Sequence, residues 1–129
     1  MIVVDSSVWI SRLRNLSTPQ TAKFDEIQDF RDVVLGDIVL MEILQGTQND
    51  RQATNIQKRL AKFGVVSMLT PSLAIKAATN YRALRNRGIT IRKAVDMIMG
   101  TYCIEHGHSL LHQDKDYLPM VEHLGLQLA

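Results

Sequence analysis

The apolar positions of the chain follow two rhythms. Short apolar runs, many of them β-branched, lie at Ile2–Val4, Val33–Leu35 and Val65–Met68. Ser109–His112 and Leu126–Leu128 resemble them, and all five read as strands, with Ile2–Val4 and Leu110–Leu111 expected to be buried. Between them lie longer segments with helical spacing and end signals. Ser6 or Ser7 can cap a helix to about Arg14. Ser17-Thr18-Pro19 opens a second, with Pro19 suited to its first position and Phe24, Ile27 and Phe30 as its apolar stripe. Asp37 is expected to cap a helix carrying Ile38, Met41, Glu42, Ile43 and Leu44, and Asp50 to begin one reaching Gly64. Thr70-Pro71 opens a long helix that closes at Gly88. Thr90 precedes another, to about Gly107, and Tyr117–Leu124 forms the last.

Short apolar strands alternating with helices predict an α/β fold, a mostly parallel central sheet with helices on both faces. With no repeat, linker or low-complexity tract, residues 1–129 are expected to form one domain. No apolar run is long enough to cross a membrane. The opening MIVVD reads as a strand rather than a secretory leader. A single cysteine, Cys103, excludes an intramolecular disulfide and a cysteine zinc site, which fits a reducing, cytoplasmic setting.

Parallel sheets of this kind take ligands outside the carboxyl ends of their strands. Asp5 follows the first strand and Asp114 comes just after the fourth, so both are expected at one edge. Glu42 sits among apolar neighbours on the helix after the second strand, and Asp96 lies near the start of the helix KAVDMIMG. Any one of these acids has an ordinary structural use, as a turn residue or a helix-end charge. Carboxylates that converge repel one another and resist ionisation, unless a hard cation with oxygen ligands joins them. Magnesium or manganese in such a cluster supports phosphodiester hydrolysis. Gly100, one turn beyond Asp96, leaves that face bare, either for a ligand or for close helix packing.

Charge adds to this picture only once it is divided. The chain has 15 Lys and Arg against 13 Asp and Glu; with four acids drawn into a cleft, the remainder carries +6. A basic surface around an acidic pocket suits a polyanion held outside and cut inside. Arg82, Arg85, Arg87, Arg92 and Lys93 gather just before Asp96. They serve either as a phosphate-binding rim, with Arg92 one turn from Asp96 the best placed, or as charges at helix ends. Trp9 is expected in the core, with base stacking as its other use.

DSSVWI (Asp5–Ile10), VLMEILQG (Val39–Gly46), AVDMIMGTYCIEHG (Ala94–Gly107) and SLLHQDKDY (Ser109–Tyr117), in that order and spacing, resemble the PIN-domain ribonucleases. Within them the chain is most similar to the VapC-type toxins of prokaryotic toxin–antitoxin pairs. The resemblance runs over essentially the whole chain. It implies a PIN-like three-layer sandwich and an endoribonuclease dependent on Mg²⁺ or Mn²⁺. It also implies RNA as substrate, a cognate antitoxin as partner and a homodimer. Asp5 and Asp96 would be the primary metal ligands. Glu42 and Asp114 would complete the set and position the attacking water, with products bearing a 5′-phosphate and a 3′-hydroxyl. Asp116 matches a frequent fifth acid, and Ser7 a polar residue that hydrogen-bonds the site.

Two positions depart from that pattern. His112 stands where many relatives carry threonine or serine, and Gly100 where alanine is common. The histidine is either a partly buried strand-end residue or one that ligates a metal or carries charge below neutral pH. Two other functions compete. A receiver-type phospho-acceptor domain would need paired acids at the first strand and a lysine at a late strand end, where this chain has Ser6-Ser7 and His112. A non-catalytic RNA- or protein-binding module on the same fold would have no need of the acids.

Overall fold

The structure is a computed structural model that describes residues 1–129. Strands β1 (Ile2–Val4), β2 (Val33–Gly36), β3 (Val65–Val66), β4 (Ser109–Leu111) and β5 (Gln127–Leu128) form one sheet in the order β3-β2-β1-β4-β5. All neighbouring pairs are parallel. The helices between them are α1 (Ser6–Leu13), α2 (Pro19–Asp25), α3 (Asp37–Gln45), α4 (Asp50–Leu60), α5 (Pro71–Asn86), α6 (Ala94–His106) and α7 (Leu118–Leu124). All four residues of β2 are buried, and because strand side chains alternate, both faces of the sheet are covered at its centre, while the edge strands β3 and β5 are largely exposed. This is the expected three-layer α/β sandwich. No helix is long and apolar enough to cross a membrane.

The core is built where the two rhythms meet. Val3, Val4, Leu35 and Leu110 of the strands are fully buried against Val8, Val39, Leu84 and Met99 of the helices. Each aliphatic side chain so enclosed contributes roughly 1.5–3 kcal/mol relative to exposure. Trp9 belongs to this core, edge-on to Phe24 and Phe63 at centroid distances of 4.8 and 5.1 Å. The methionines fill gaps in it, and a Cβ on Gly100 would collide with the Met120 sulfur. The bare face at Gly100 therefore serves the approach of α6 to α7, not a ligand.

Several end signals act differently from expectation. The cap of α1 is Asp5, not a serine; its carboxylate accepts the Ser7 N–H. Asp50 begins α4 as expected, behind the cap Asn49, but the helix ends at Leu60 and not at Gly64; α6 starts after Lys93, well past Thr90. Helix α2 stops at Asp25, so Ile27 lies beyond it and Phe30 opens a separate 3-10 turn, Phe30–Asp32. β3 is shorter than its apolar run because the Met68 N–H donates to Asp37 Oδ1 (3.1 Å) instead of to a strand. That carboxylate, inside the first turn of α3, also accepts the Ile38 N–H. β4 stops at Leu111, before His112, and the last helix begins with a 3-10 turn, Lys115–Tyr117.

The strand order sets the position of the site. The chain builds outward from β1 through β2 to β3, then returns to the other side of β1 for β4. Val4 pairs with Leu111, and the Asp5 N–H donates to the Leu111 carbonyl at 2.9 Å. A crevice between strands whose connections diverge is where open α/β sheets bind ligands, at the carboxyl edge. Asp5 and the segment His112–Asp116 flank it.

Candidate functional site

Asp5 leaves β1 directly into α1 and is 5% exposed. Its Oδ2 accepts the Ser7 hydroxyl at 2.6 Å and the Ser7 N–H at 3.2 Å. Its Oδ1 accepts the Tyr117 hydroxyl at 2.9 Å. The same hydroxyl lies 3.2 Å from Asp96 Oδ1, so one phenol bridges acids from β1 and α6.

Asp96, also 5% exposed, keeps its other oxygen, Oδ2, buried with no hydrogen-bond partner. Its carboxyl is pushed up to about 6, first by burial, then by the charges of Asp5 and Asp114; the Tyr117 hydroxyl and Lys93 oppose the shift. Carboxylate oxygens of Asp96, Asp114 and Asp116 lie within 4.8 Å of one another. The turn after β4 delivers two of them, and Asp114 Oδ1 accepts the Asp116 N–H at 3.0 Å within it.

Glu42 projects from α3 with Oε1 buried and unpartnered. Burial raises its pKa, with help from Asp5, while Ser6 and Lys93 pull the other way. A buried polar atom without a partner is costly in a folded protein. Here two such oxygens are both from carboxylates: Asp96 is one of the three grouped acids, while Glu42 stands outside that group and feels the charge of Asp5. An all-oxygen donor set with unspent lone pairs fits a hard divalent cation such as Mg²⁺ or Mn²⁺.

His112 is half-buried against the Tyr117 ring (4.8 Å between centroids), and its Nδ1 accepts the Asp114 N–H at 3.1 Å. Burial lowers its pKa, so the ring is neutral near pH 7 and braces the acidic turn. Gln113 braces the same turn from the other side. Its amide donates to the Ser7 carbonyl (3.2 Å) and the Ser11 hydroxyl (2.9 Å), and its carbonyl accepts the Thr18 hydroxyl (2.6 Å).

Arg92 is exposed, in a groove of about 620 Å³ shared with Arg82, Arg85 and Tyr81. It makes no ion pair with the acids, whereas Lys93 does: its Nζ is 3.7 Å from Asp114 Oδ2. Strand-end placement and the family resemblance singled out the acids but passed over Tyr117 and Gln113. Tyr117 follows Asp116 directly, and in a sequence its hydroxyl cannot be told from another core aromatic. Gln113 lies inside the motif, yet nothing local marks it as a brace.

Comparison with known proteins agrees with this architecture. The chain is 26% identical over 133 residues to "Ribonuclease VapC11" of Mycobacterium tuberculosis, covering 100% of this chain and 98% of that one. It matches "VapC ribonuclease Mb1587" of Mycobacterium bovis with the same figures. Among solved structures, VapBC2 from Rickettsia felis bound to a promoter DNA fragment superposes with a TM-score of 0.78 at 12% identity, covering 100% of this chain and 98% of that one. FitAcB from Neisseria gonorrhoeae gives 0.77 at 16% identity, covering 99% and 96%. At these identities the superpositions speak for the fold. The model of the family described as "PIN domain" matches residues 2–122. The parallel sheet, the acids at its carboxyl edge and this match over nearly the whole sequence lead to one conclusion: the chain belongs to the PIN domain family.

Proposed function

We propose that this protein is a metal-dependent endoribonuclease and the toxin of a toxin–antitoxin pair. The observation that carries the reading is the Asp96 carboxylate, buried with Oδ2 unpartnered and grouped with Asp114 and Asp116, an arrangement that makes chemical sense around a cation. The relatives named as ribonucleases, alike over the full length, support RNA as the substrate.

Asp96, Asp114 and Asp116 would hold Mg²⁺ or Mn²⁺, with Asp5 closing the set from β1. With the ion bound, the chemistry it supplies is polarisation of the phosphodiester and a lowered pKa for a water. Glu42 orients the attacking water and takes its proton; burial has already moved this carboxyl towards the range useful for a base. The new bond joins water oxygen to phosphorus, and the bond from phosphorus to the 3′ oxygen breaks. The leaving oxygen takes up a proton, giving a 3′-hydroxyl and a 5′-phosphate. Ser7 fixes the Asp5 carboxylate, and Arg92 contacts RNA phosphate outside the pocket. A cognate antitoxin restrains the activity, and the working form is a homodimer in the cytoplasm.

The test is cleavage of end-labelled single-stranded RNA by purified protein in EDTA, Mg²⁺ or Mn²⁺, beside Asp5→Ala and Asp96→Ala. Cleavage should require the ion and fall at least a hundredfold in both variants. Cleavage that ignores both chelation and the substitutions overturns the reading. Growth arrest on expression, relieved by co-expressing the antitoxin, tests the toxin assignment, and light scattering tests the dimer.

A further inference from the structure

We infer that Tyr117 is a positioning residue for the cation: its hydroxyl ties Asp5 and Asp96 into one frame and leaves the second Asp96 oxygen free to bind. This rests on the metal-site reading above and names a residue that the acidic motif alone does not.

Tyr117 is fully buried, and a buried hydroxyl needs hydrogen-bond partners. Both of its neighbours are carboxylate oxygens, at 2.9 Å on Asp5 and 3.2 Å on Asp96. One O–H carries a single proton, so it serves the two acids in alternation and sits between two charges that would otherwise repel. A phenylalanine would fill the same space, so packing alone gives no reason for the hydroxyl.

The phenol is also held in place. Tyr117 ends the 3-10 turn that carries Asp116 and is capped by Asp114, and its ring packs on His112. One short turn thus delivers two carboxylates and the hydroxyl that orients two more. With its Oδ1 turned to the phenol, Asp96 keeps a buried Oδ2 that no protein group engages. Partners that orient metal-binding carboxylates typically change metal affinity about 10- to 100-fold when removed.

The experiment compares Mn²⁺ binding by the wild type, Tyr117→Phe and Asp96→Asn, reading free Mn²⁺ by electron paramagnetic resonance. Circular dichroism in EDTA checks the fold. Tyr117→Phe should bind Mn²⁺ about tenfold more weakly. The Mn²⁺ concentration for half-maximal RNA cleavage should rise in step, with activity recovering at saturation. Equal affinity in wild type and Tyr117→Phe, with binding lost in Asp96→Asn, overturns this inference and spares the site. Absence of binding by the wild type removes both. A measurement that needs no variant is ¹⁹F resonance of fluorotyrosine-labelled protein during Mg²⁺ titration. The Tyr117 signal should move while those of Tyr81 and Tyr102 stay; an unmoved Tyr117 signal overturns the proposal.

Discussion

Lys93 Nζ lies 3.7 Å from Asp114 Oδ2, so a lysine from the start of α6 touches the acidic turn after β4. The lysine side chain is 64% exposed, and an ion pair so open to solvent adds little to stability. Its influence falls on whatever charge enters the cluster. Replacing it with methionine should leave the unfolding free energy within about 0.5 kcal/mol. The same change should tighten Mn²⁺ binding severalfold, because a like charge leaves the neighbourhood. Calorimetric titration checks this, and weaker Mn²⁺ binding would contradict it.

Asp96→Asn should trade activity for stability. The substitution keeps the shape but removes a buried charge that faces Asp5 and Asp114. In EDTA at pH 7 the variant should melt higher than the wild type by about 3 °C or more, while RNA cleavage drops at least a hundredfold. Thermal melting in EDTA and in Mg²⁺ reads both halves, since added Mg²⁺ should raise the melting temperature of the wild type alone.

The raised Asp96 carboxyl also fixes a pH dependence. Its folded value of about 6 exceeds the ordinary 3.8, so between those limits the folded chain holds more protons than the unfolded chain. Its contribution to metal-free stability is therefore unimpaired at about pH 4 and is lost as pH rises through about 6. Glu42, also raised, has the same sign. His108 and His112, lowered by burial, have the opposite sign, so the Asp96 part is read as the difference from Asp96→Asn. Urea unfolding in EDTA from pH 4 to 7.5 should show wild type losing ground to the variant as pH rises. Mg²⁺ should reverse that loss most strongly at the upper end.

Gln113→Ala should loosen the turn that carries Asp114. The side chain joins the end of β4 to Ser7, Ser11 and Thr18, so truncation removes three hydrogen bonds at once. A loss of about 1–3 kcal/mol by urea unfolding is expected, with cleavage reduced. No change in either would show that the turn holds its shape without this brace.

Arg92→Ala should weaken RNA binding without touching the metal. Its side chain is exposed and makes no ion pair with the acids, so Mn²⁺ affinity should stay as in wild type while KM rises. With one fewer phosphate neutralised, the salt dependence of binding should also fall by about one unit of slope.

The strands were legible in the sequence because residues covered on both faces, such as Val33, Val34 and Leu35, leave an unbroken apolar run. That pattern, with helices between, sufficed to place Asp5 and Asp114 at one edge. Helix ends were read less well: Asp5 caps α1 though two serines follow it, and α4 stops at Leu60, short of the glycine expected to close it. The apolar spacing of Phe24, Ile27 and Phe30 survives, but as packing around Trp9 and Phe63 rather than as one helix. Tyr117 was illegible for a different reason. Its meaning depends on a partner 112 residues away, and no local window contains both.

The placement of β4 beside β1 has a consequence for the chain while it is still being made. A nascent polypeptide that stops short of Ser109 already carries Asp5, Glu42 and Asp96. It has no strand to pair with that flank of β1 and no phenol to tie two of those acids together. On the proposed site, competence to cut would then wait for β4 and the turn that brings Asp114, Asp116 and Tyr117. A half-synthesised copy of such a protein would be harmless to the messenger that encodes it.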